Sequence, residues 1–380
     1  MRIKGITLTI LTNVWVAIVF GQDLLLEKDI VKIYSEQYEV TERVDTIFNN
    51  KPCLTLDGTN QAVAVFKIED IENVRIEVDI AGEVMPGVGF RVEDIYNFHF
   101  VYFRTFLGGT NEAIQYVPLY NGALSWVFYT YPKYEAKAEM EALEWFHAAI
   151  ELRGNKMKVF VGENSTPQLE VVLDETNISA GNILLRSMFG PSYFANLSIQ
   201  PLPELEEPPV SSRKSSSSNR DRDLFLTEWE ISKQYPRNSE NTINLVVEKA
   251  ITADSWRTIN ESTHDRINFS KYFDHPHGIV VAKKELSSAS TQSKRLNFDF
   301  VGKLQIRLNG EIVFNYNKHR FERLAGDTFS IGIDLQEGPN ELLFISEGDA
   351  SLFGEGYNSI GRLQHQNWGF VAKMEPSTTD

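Results

Sequence analysis

The chain has 380 residues, 12% of them aromatic, and a formal net charge of −15. That length exceeds one usual domain and points to two. The acidic balance argues against nucleic acid and anionic membrane surfaces, which attract basic patches.

In chain order, residues 1–21 read as a secretory signal. Arg2 and Lys4 form a positive start, an uncharged, largely apolar run follows, and Gly21 offers a small residue for cleavage. The run is short for a membrane span. A secreted or periplasmic protein is therefore expected, with no membrane span in the mature chain. Cys53 is the single cysteine and cannot form an intrachain disulfide, so it reads as a small buried hydrophobe in a strand.

Strand patterns follow at 31–40, 54–56, 62–68 and 74–80, the last with Val74, Ile76, Val78 and Ile80 on one face and Arg75, Glu77 and Asp79 on the other. Residues 87–104 read as a hairpin around Asp94-Ile95-Tyr96-Asn97. Its second strand is apolar on both faces, with Phe98, Phe100, Tyr102 and Arg104 on one and His99, Val101 and Phe103 on the other. Such a strand belongs inside a sheet covered on both sides. Further patterns lie at 112–120 and 126–131. Residues 134–143 are rich in helix-favouring Ala, Glu, Lys and Met and are assigned a helix. A hairpin at 145–161 turns at Arg153-Gly154-Asn155-Lys156, and strands at 169–173, 183–187 and 194–199 complete the set.

Residues 201–224 form a Ser/Pro-rich linker, holding Arg213-Lys214 and Arg220/Arg222, whose composition cannot bury enough apolar surface to fold. The organisation read from the chain is a sandwich at 22–200, the linker, and a second all-β domain at 225–375. In the second half, Asn309-Gly310 between two strand patterns is the strongest hairpin signal, because a tight primed turn needs positive φ at both central residues.

Two resemblances sharpen this. Gly89-Phe90-Arg91-Val92, Asn97 before its strand, Trp145-Phe146-His147, Lys158-Val159-Phe160-Val161-Gly162 and Phe194-Ala195-Asn196-Leu197 resemble the concanavalin A-like lectin and glucanase superfamily, including laminin-G-like modules. Leu308-Asn309-Gly310-Glu311-Ile312, Leu335-Gln336-Glu337-Gly338-Pro339-Asn340 and Trp368-Gly369-Phe370 resemble galactose-binding-like jelly rolls. The likeness implies a concanavalin A-like β-sandwich, then a jelly-roll β-sandwich, in a lectin-like protein.

Three constellations bear on chemistry. Glu77-Val78-Asp79 puts two carboxylates on one strand face, at a spacing near what a retaining glycosidase needs. Laminarinase-like enzymes add a third carboxylate, and here Glu83 comes one residue too late, after Gly82, so the motif is broken. His275-Pro276-His277 with His264 lacks a third ligand at metal spacing, which leaves a structural Ca²⁺ open and no cofactor expected. The aromatic and polar set Arg91, His99, Tyr102, Arg104, Gln115, Tyr116 and Trp126 is the candidate ligand site, since sugars stack on aromatic rings and hydrogen-bond to planar side chains. The same set reads equally well as an internal arginine network in an aromatic core.

The function expected is non-catalytic carbohydrate binding, directed at polysaccharide. The alternatives are a glycoside hydrolase or polysaccharide lyase using Glu77 or Asp79, and a structural or adhesive module that binds protein.

Overall fold

The computed structural model describes residues 22–23, 30–34, 44–58, 62–68, 72–173, 181–203, 224–238, 241–253, 255–273, 278–348 and 368–375. The signal-like residues 1–21, most of the linker at 204–223, His275 and His277 lie outside the described residues.

The chain is all-β. Its first half contributes sixteen described strands: β1 (Gln22–Asp23), β2 (Ile30–Tyr34), β3 (Val44–Phe48), β4 (Lys51–Leu56), β5 (Val63–Phe66), β6 (Val74–Gly82), β7 (Met85–Asp94), β8 (Asn97–Phe103), β9 (Ile114–Tyr120), β10 (Ala123–Leu124), β11 (Glu135–Ala136), β12 (Phe146–Arg153), β13 (Lys156–Val161), β14 (Leu169–Val172), β15 (Asn182–Met188) and β16 (Ser192–Pro201). They form two antiparallel sheets. The first runs β14-β13-β12-β6-β16-β4-β3 with β1 on β16, and the second runs β10-β9-β8-β7-β15-β5-β2 with β11 on β9.

Period-2 alternation decides which side chains meet between the sheets. Val74, Ile76, Val78 and Ile80 of β6 point inward beside Phe146, Ala148, Ile150 and Leu152 of β12, all in one buried cluster. From the second sheet, Phe103 reaches across to Phe146, ring centroids 5.2 Å apart. Parity along β8 therefore turns His99, Val101 and Phe103 into the sandwich and turns Phe98, Phe100 and Tyr102 away from it.

The second half contributes β17 (Glu228–Ile231), α1 (Ile243–Ala253), β18 (Arg257–Asn260), β19 (Ile267–Asn268), β20 (Gly278–Ser288), β21 (Gln292–Leu308), β22 (Glu311–Arg320), β23 (Phe329–Leu335), β24 (Gly338–Gly348) and β25 (Gly369–Met374). The strand order is β18-β17-β20-β24-β21-β25-β19, with β22 and β23 also on β21. The 17-residue β21 serves both arms of this assembly: its first part pairs β23 and β25, its second part pairs β22 and β24. Trp229, Phe298, Phe300, Phe344 and Phe370 fill the space between the arms. One side of α1 (Val246, Val247, Ala250) covers Ile279, Val281, Leu343 and Ile345 on the outside of β20 and β24.

The helix expected at 134–143 is not there. That segment pairs through β11 with β9 and runs on as loop, and the α-helix among the described residues is α1. Tertiary demand overrides propensity: Tyr116 N–H donates to Tyr134 O at 2.9 Å, Gly109 N–H to Ala138 O at 2.8 Å, and Glu135 is needed as an ion-pair partner. The central hairpin turns more tightly than expected. Asp94 and Asn97 are already a cross-strand pair, and a register shift after Phe90 accommodates Arg91 at φ +50°.

The two halves touch. Val301, Leu324 and Val371 belong to the same buried cluster as the sandwich core, and Phe321 packs edge-on to Trp126 at 5.5 Å. The segment that carries Phe321, Arg323 and Leu324 is held by Asp299, which is fully buried. Its carboxylate accepts from Ala325 N–H at 2.9 Å and Thr328 Oγ1 at 2.5 Å, and pairs with Arg320 at 3.1 Å.

Candidate functional site

The seven residues of the sequence-derived ligand set do not line one groove. Six of them, Arg91, His99, Tyr102, Arg104, Gln115 and Tyr116, are buried, and Trp126 is half-buried against the second half. Tyr102, Arg104 and Gln115 do come together, on the side of the second sheet that the second half covers. Gly87 makes room for the neighbouring Phe100 ring, which a Cβ there would meet at 2.5 Å.

The polar groups of that trio find their partners inside the protein. Arg104 donates from Nη1 to Glu112 O and to Glu135 Oε1, both at 2.9 Å, and from Nη2 to Tyr102 Oη at 3.0 Å and Gln115 Oε1 at 2.5 Å. Gln115 Nε2 in turn donates to Trp126 O at 3.1 Å and to Tyr129 O. Arg323, from the second half, pairs with Glu112 at 2.9 Å and with the fully buried Glu135. Two guanidinium groups thus share one buried carboxylate across the contact between the halves. A buried arginine must be paired, and here the partner is protein. Burial pushes the Tyr102 hydroxyl up to about 12, with the nearby Arg104 charge pulling the other way.

His99 and Arg91 lie elsewhere. His99 faces into the sandwich between the rings of Phe90 and Tyr116, with Nδ1 2.7 Å from Tyr116 Oη. Arg91 donates to Gly154 O at the β12–β13 turn, and burial pulls its guanidinium below the ordinary arginine value. His264 is 2.8 Å from Tyr134 Oη. No group of three His, Cys, Asp or Glu among the described residues is placed to hold a metal ion.

A different surface gathers polar and aromatic groups with access to solvent: the outer face of the first sheet. On β6 the outward residues are Arg75, Glu77 and Asp79, and the antiparallel register sets His147 of β12 opposite Asp79 and Glu151 opposite Arg75. A register shift in β16 between Ala195 and Ser198 puts Asn196 at φ +52° and leaves it exposed. From this position Asn196 Nδ2 donates to Asp79 Oδ2 at 2.7 Å. Lys51 of β4 donates to the same oxygen at 2.7 Å, and His147 Nδ1 lies 2.9 Å from Asp79 Oδ1. His147 Nε2 is 3.6 Å from Glu77, so the imidazole spans the two carboxylates, and its side chain is 42% exposed.

An aromatic group borders this cluster. Lys51 Nζ sits 4.7 Å above the Trp145 ring, Trp145 Nε1 donates to Phe48 O at 3.2 Å, and Phe48 stacks on Tyr193 at 3.8 Å. Trp145, Phe48 and Tyr193 are each half-buried. Sequence reading placed Glu77 and Asp79 here and missed Lys51, Trp145, His147 and Asn196 as their neighbours. The i,i+2 spacing of Trp145 and His147 around the inward Phe146 was the available signal. Lys51 and Asn196 arrive through pairing across β16 and through the shift within it, which no local pattern shows.

The surroundings of Asp79 make it unsuited to act as a general acid. Burial alone would raise Asp79, but hydrogen bonds from Lys51, His147 and Asn196 outweigh it and hold the carboxyl below its ordinary value. Glu77 is bound by Arg75 Nε at 2.8 Å. A glycosidase needs one carboxyl kept protonated by a raised pKa, and the arrangement around Asp79 does the opposite.

No family profile and no curated protein matches this chain. Among solved structures, a carbohydrate-binding module, CBM66, from Bacillus subtilis is similar at 14% identity, covering 45% of this chain and 96% of that one, with a TM-score of 0.34. A Bacillus subtilis protein of unknown function with a galectin-like fold is similar at 10% identity, covering 49% of this chain and all 100% of its own, TM-score 0.32. Domain 4 of an extracellular GH43 arabinanase from Geobacillus stearothermophilus is similar at 11% identity over 46% of this chain and 92% of that one, TM-score 0.29.

Proposed function

We propose that this chain is a secreted, non-catalytic carbohydrate-binding protein whose ligand lies on the outer face of the first sheet. The observation that carries the reading is the row formed by Trp145, Lys51, Asp79, His147 and Asn196, which sets an aromatic ring beside acceptors and donors held in fixed orientation. A sugar presents an apolar ring face edged with hydroxyls. A half-buried aromatic group takes the ring, and planar or charged side chains take the hydroxyls. Prior pairing of Asp79 with three partners keeps the row ordered before a ligand arrives, which lowers the entropy lost on binding.

The opposite face, on the second sheet, is a poorer candidate. Tyr102, Arg104 and Gln115 are engaged with one another and with the second half. The hydrolase alternative loses support for the reason given above: Asp79 is held ionised and Glu77 is ion-paired. No helix among the described residues is long and apolar enough to cross a membrane.

The test is isothermal titration of the full chain against a polysaccharide panel, repeated with Trp145→Ala. Loss of a stacking ring costs a sugar site on the order of 1–2 kcal/mol, roughly tenfold in affinity, so the variant should bind about tenfold more weakly to whichever glycan the wild type binds. Undiminished affinity would move the site off this face. Release of reducing sugar by the wild type, abolished by Asp79→Asn, would replace binding with catalysis.

A further inference from the structure

Building on the carbohydrate-binding reading, we infer that this face selects neutral, hydroxyl-bearing glycans and rejects glycans that carry carboxylate or sulfate. Between Trp145 and Arg75 the face holds three carboxylates, Glu77, Asp79 and Glu151, against two permanent cations, Lys51 and Arg75; the next cation, Lys158 opposite Glu151, pairs with Glu170 at 3.9 Å. Both cations are committed. Lys51 Nζ is 2.7 Å from Asp79, and Arg75 bridges two acids, Nε to Glu77 at 2.8 Å and Nη1 to Glu151 at 2.6 Å. The Arg75 guanidinium lies over the Phe160 ring, 5.3 Å from its centroid.

An acidic sugar seated between Trp145 and Arg75 would have to break one of these pairs to find a cation there. It would then leave a half-buried carboxylate without its partner and place a second negative charge beside the remaining acids. A hydroxyl faces no such obstacle. Carboxylate oxygens accept several hydrogen bonds each, and one contact here is loose enough to exchange: Gln200 Nε2 lies 3.5 Å from Glu77 Oε2. Hydroxyl donors from a ligand can take that oxygen and form charge-assisted bonds, stronger than neutral ones. The chain as a whole, at −15, adds a long-range repulsion toward polyanions.

The experiment is titration of the full chain with neutral polysaccharides (xylan, β-glucan, mannan, arabinan) and acidic ones (polygalacturonate, alginate, chondroitin sulfate), each at low and high salt. Binding confined to neutral glycans, with affinity that varies less than about twofold with salt, is the expected result. Tighter binding to an acidic glycan, weakened by salt, overturns this inference and leaves carbohydrate binding standing. Binding to no glycan overturns both. The double variant Glu77→Gln, Glu151→Gln frees Arg75 and should acquire salt-sensitive binding to polygalacturonate. Its melting temperature confirms that it is folded. A folded double variant that still ignores polygalacturonate would show that these carboxylates are not what rejects acidic glycans, and the inference would fail.

Discussion

Arg104 carries a full charge at 5% exposure, and its surroundings decide what it does. It has Glu135, Gln115, Tyr102 and a backbone carbonyl around it, all supplied by the protein. Replacing it with Met keeps much of the volume but leaves the fully buried Glu135 with Arg323 as its remaining cation. Removing one member of such a buried set costs about 3–5 kcal/mol. Arg104→Met should therefore lower the midpoint of denaturant unfolding strongly, while glycan titration of the folded variant stays at the wild-type value. Selective loss of binding with unchanged stability would instead restore Arg104 to the ligand site. Tyr102 in the same network reports through pH. Its folded value is raised from 10.0 to about 12 by burial. The protonated hydroxyl thus contributes stability that is complete below the unfolded value and is lost as pH rises through the folded one. Alkaline unfolding should set in above about pH 10, and Tyr102→Phe should flatten the slope between there and pH 12 at some cost in stability at neutral pH. A slope left unchanged in Tyr102→Phe would assign the alkaline transition to another group.

Elements divide by how local their causes are. The β12–β13 hairpin around Gly154 was legible because its turn residues and its alternation agree. The hairpin joining β21 to β22 was legible for the same reason, with Asn309 at φ +51° and Gly310 at φ +87°, both positive as a primed turn requires. A Cβ on Gly310 would meet nothing within 4 Å, so any penalty there is backbone alone. Gly310→Ala should cost about 1 kcal/mol in urea unfolding, and a neutral result would mean the turn relaxes into another type. What was not legible has distant causes. Residues 134–143 hold helix formers, yet Glu135 is drawn into β11 by pairing with β9 and by Arg104 and Arg323. Conversely, α1 carries Val246, Val247 and Ala250 on its covered side, and its valines and isoleucines mimic a strand. The candidate face shows both kinds at once. The outward set on β6 is plain from alternation, whereas Asn196 reaches Asp79 only because β16 shifts register beside it.

At the scale of the whole molecule, the two halves share apolar and charged contacts that the reading of a linker between independent domains does not anticipate. Leu324 N–H donates to Val127 O at 2.9 Å, Asn268 Nδ2 to Ser125 Oγ at 2.9 Å, Asn121 Nδ2 to Ser270 O at 2.9 Å, and Lys133 Nζ to Thr263 O at 2.8 Å. Around these bonds Val301, Leu324 and Val371 enter the sandwich's own buried cluster, and Arg323 reaches the buried Glu135. Such a contact keeps Tyr102, Arg104 and Gln115 dry, and it should hold the halves together without covalent continuity through residues 204–223. A protease site inserted between Ser215 and Ser218 and then cut should leave two fragments that co-elute in gel filtration at the position of the uncut chain. High salt should not part them, because the Glu135 carboxylate that Arg323 reaches is buried and poorly screened. Glu135→Gln, which leaves Arg104 and Arg323 facing each other with the half-exposed Glu112 as the carboxylate they still share, should weaken the association and let the cut fragments separate at micromolar concentration. Fragments of the unmutated protein that elute apart on cutting would show that the halves are joined by the chain alone.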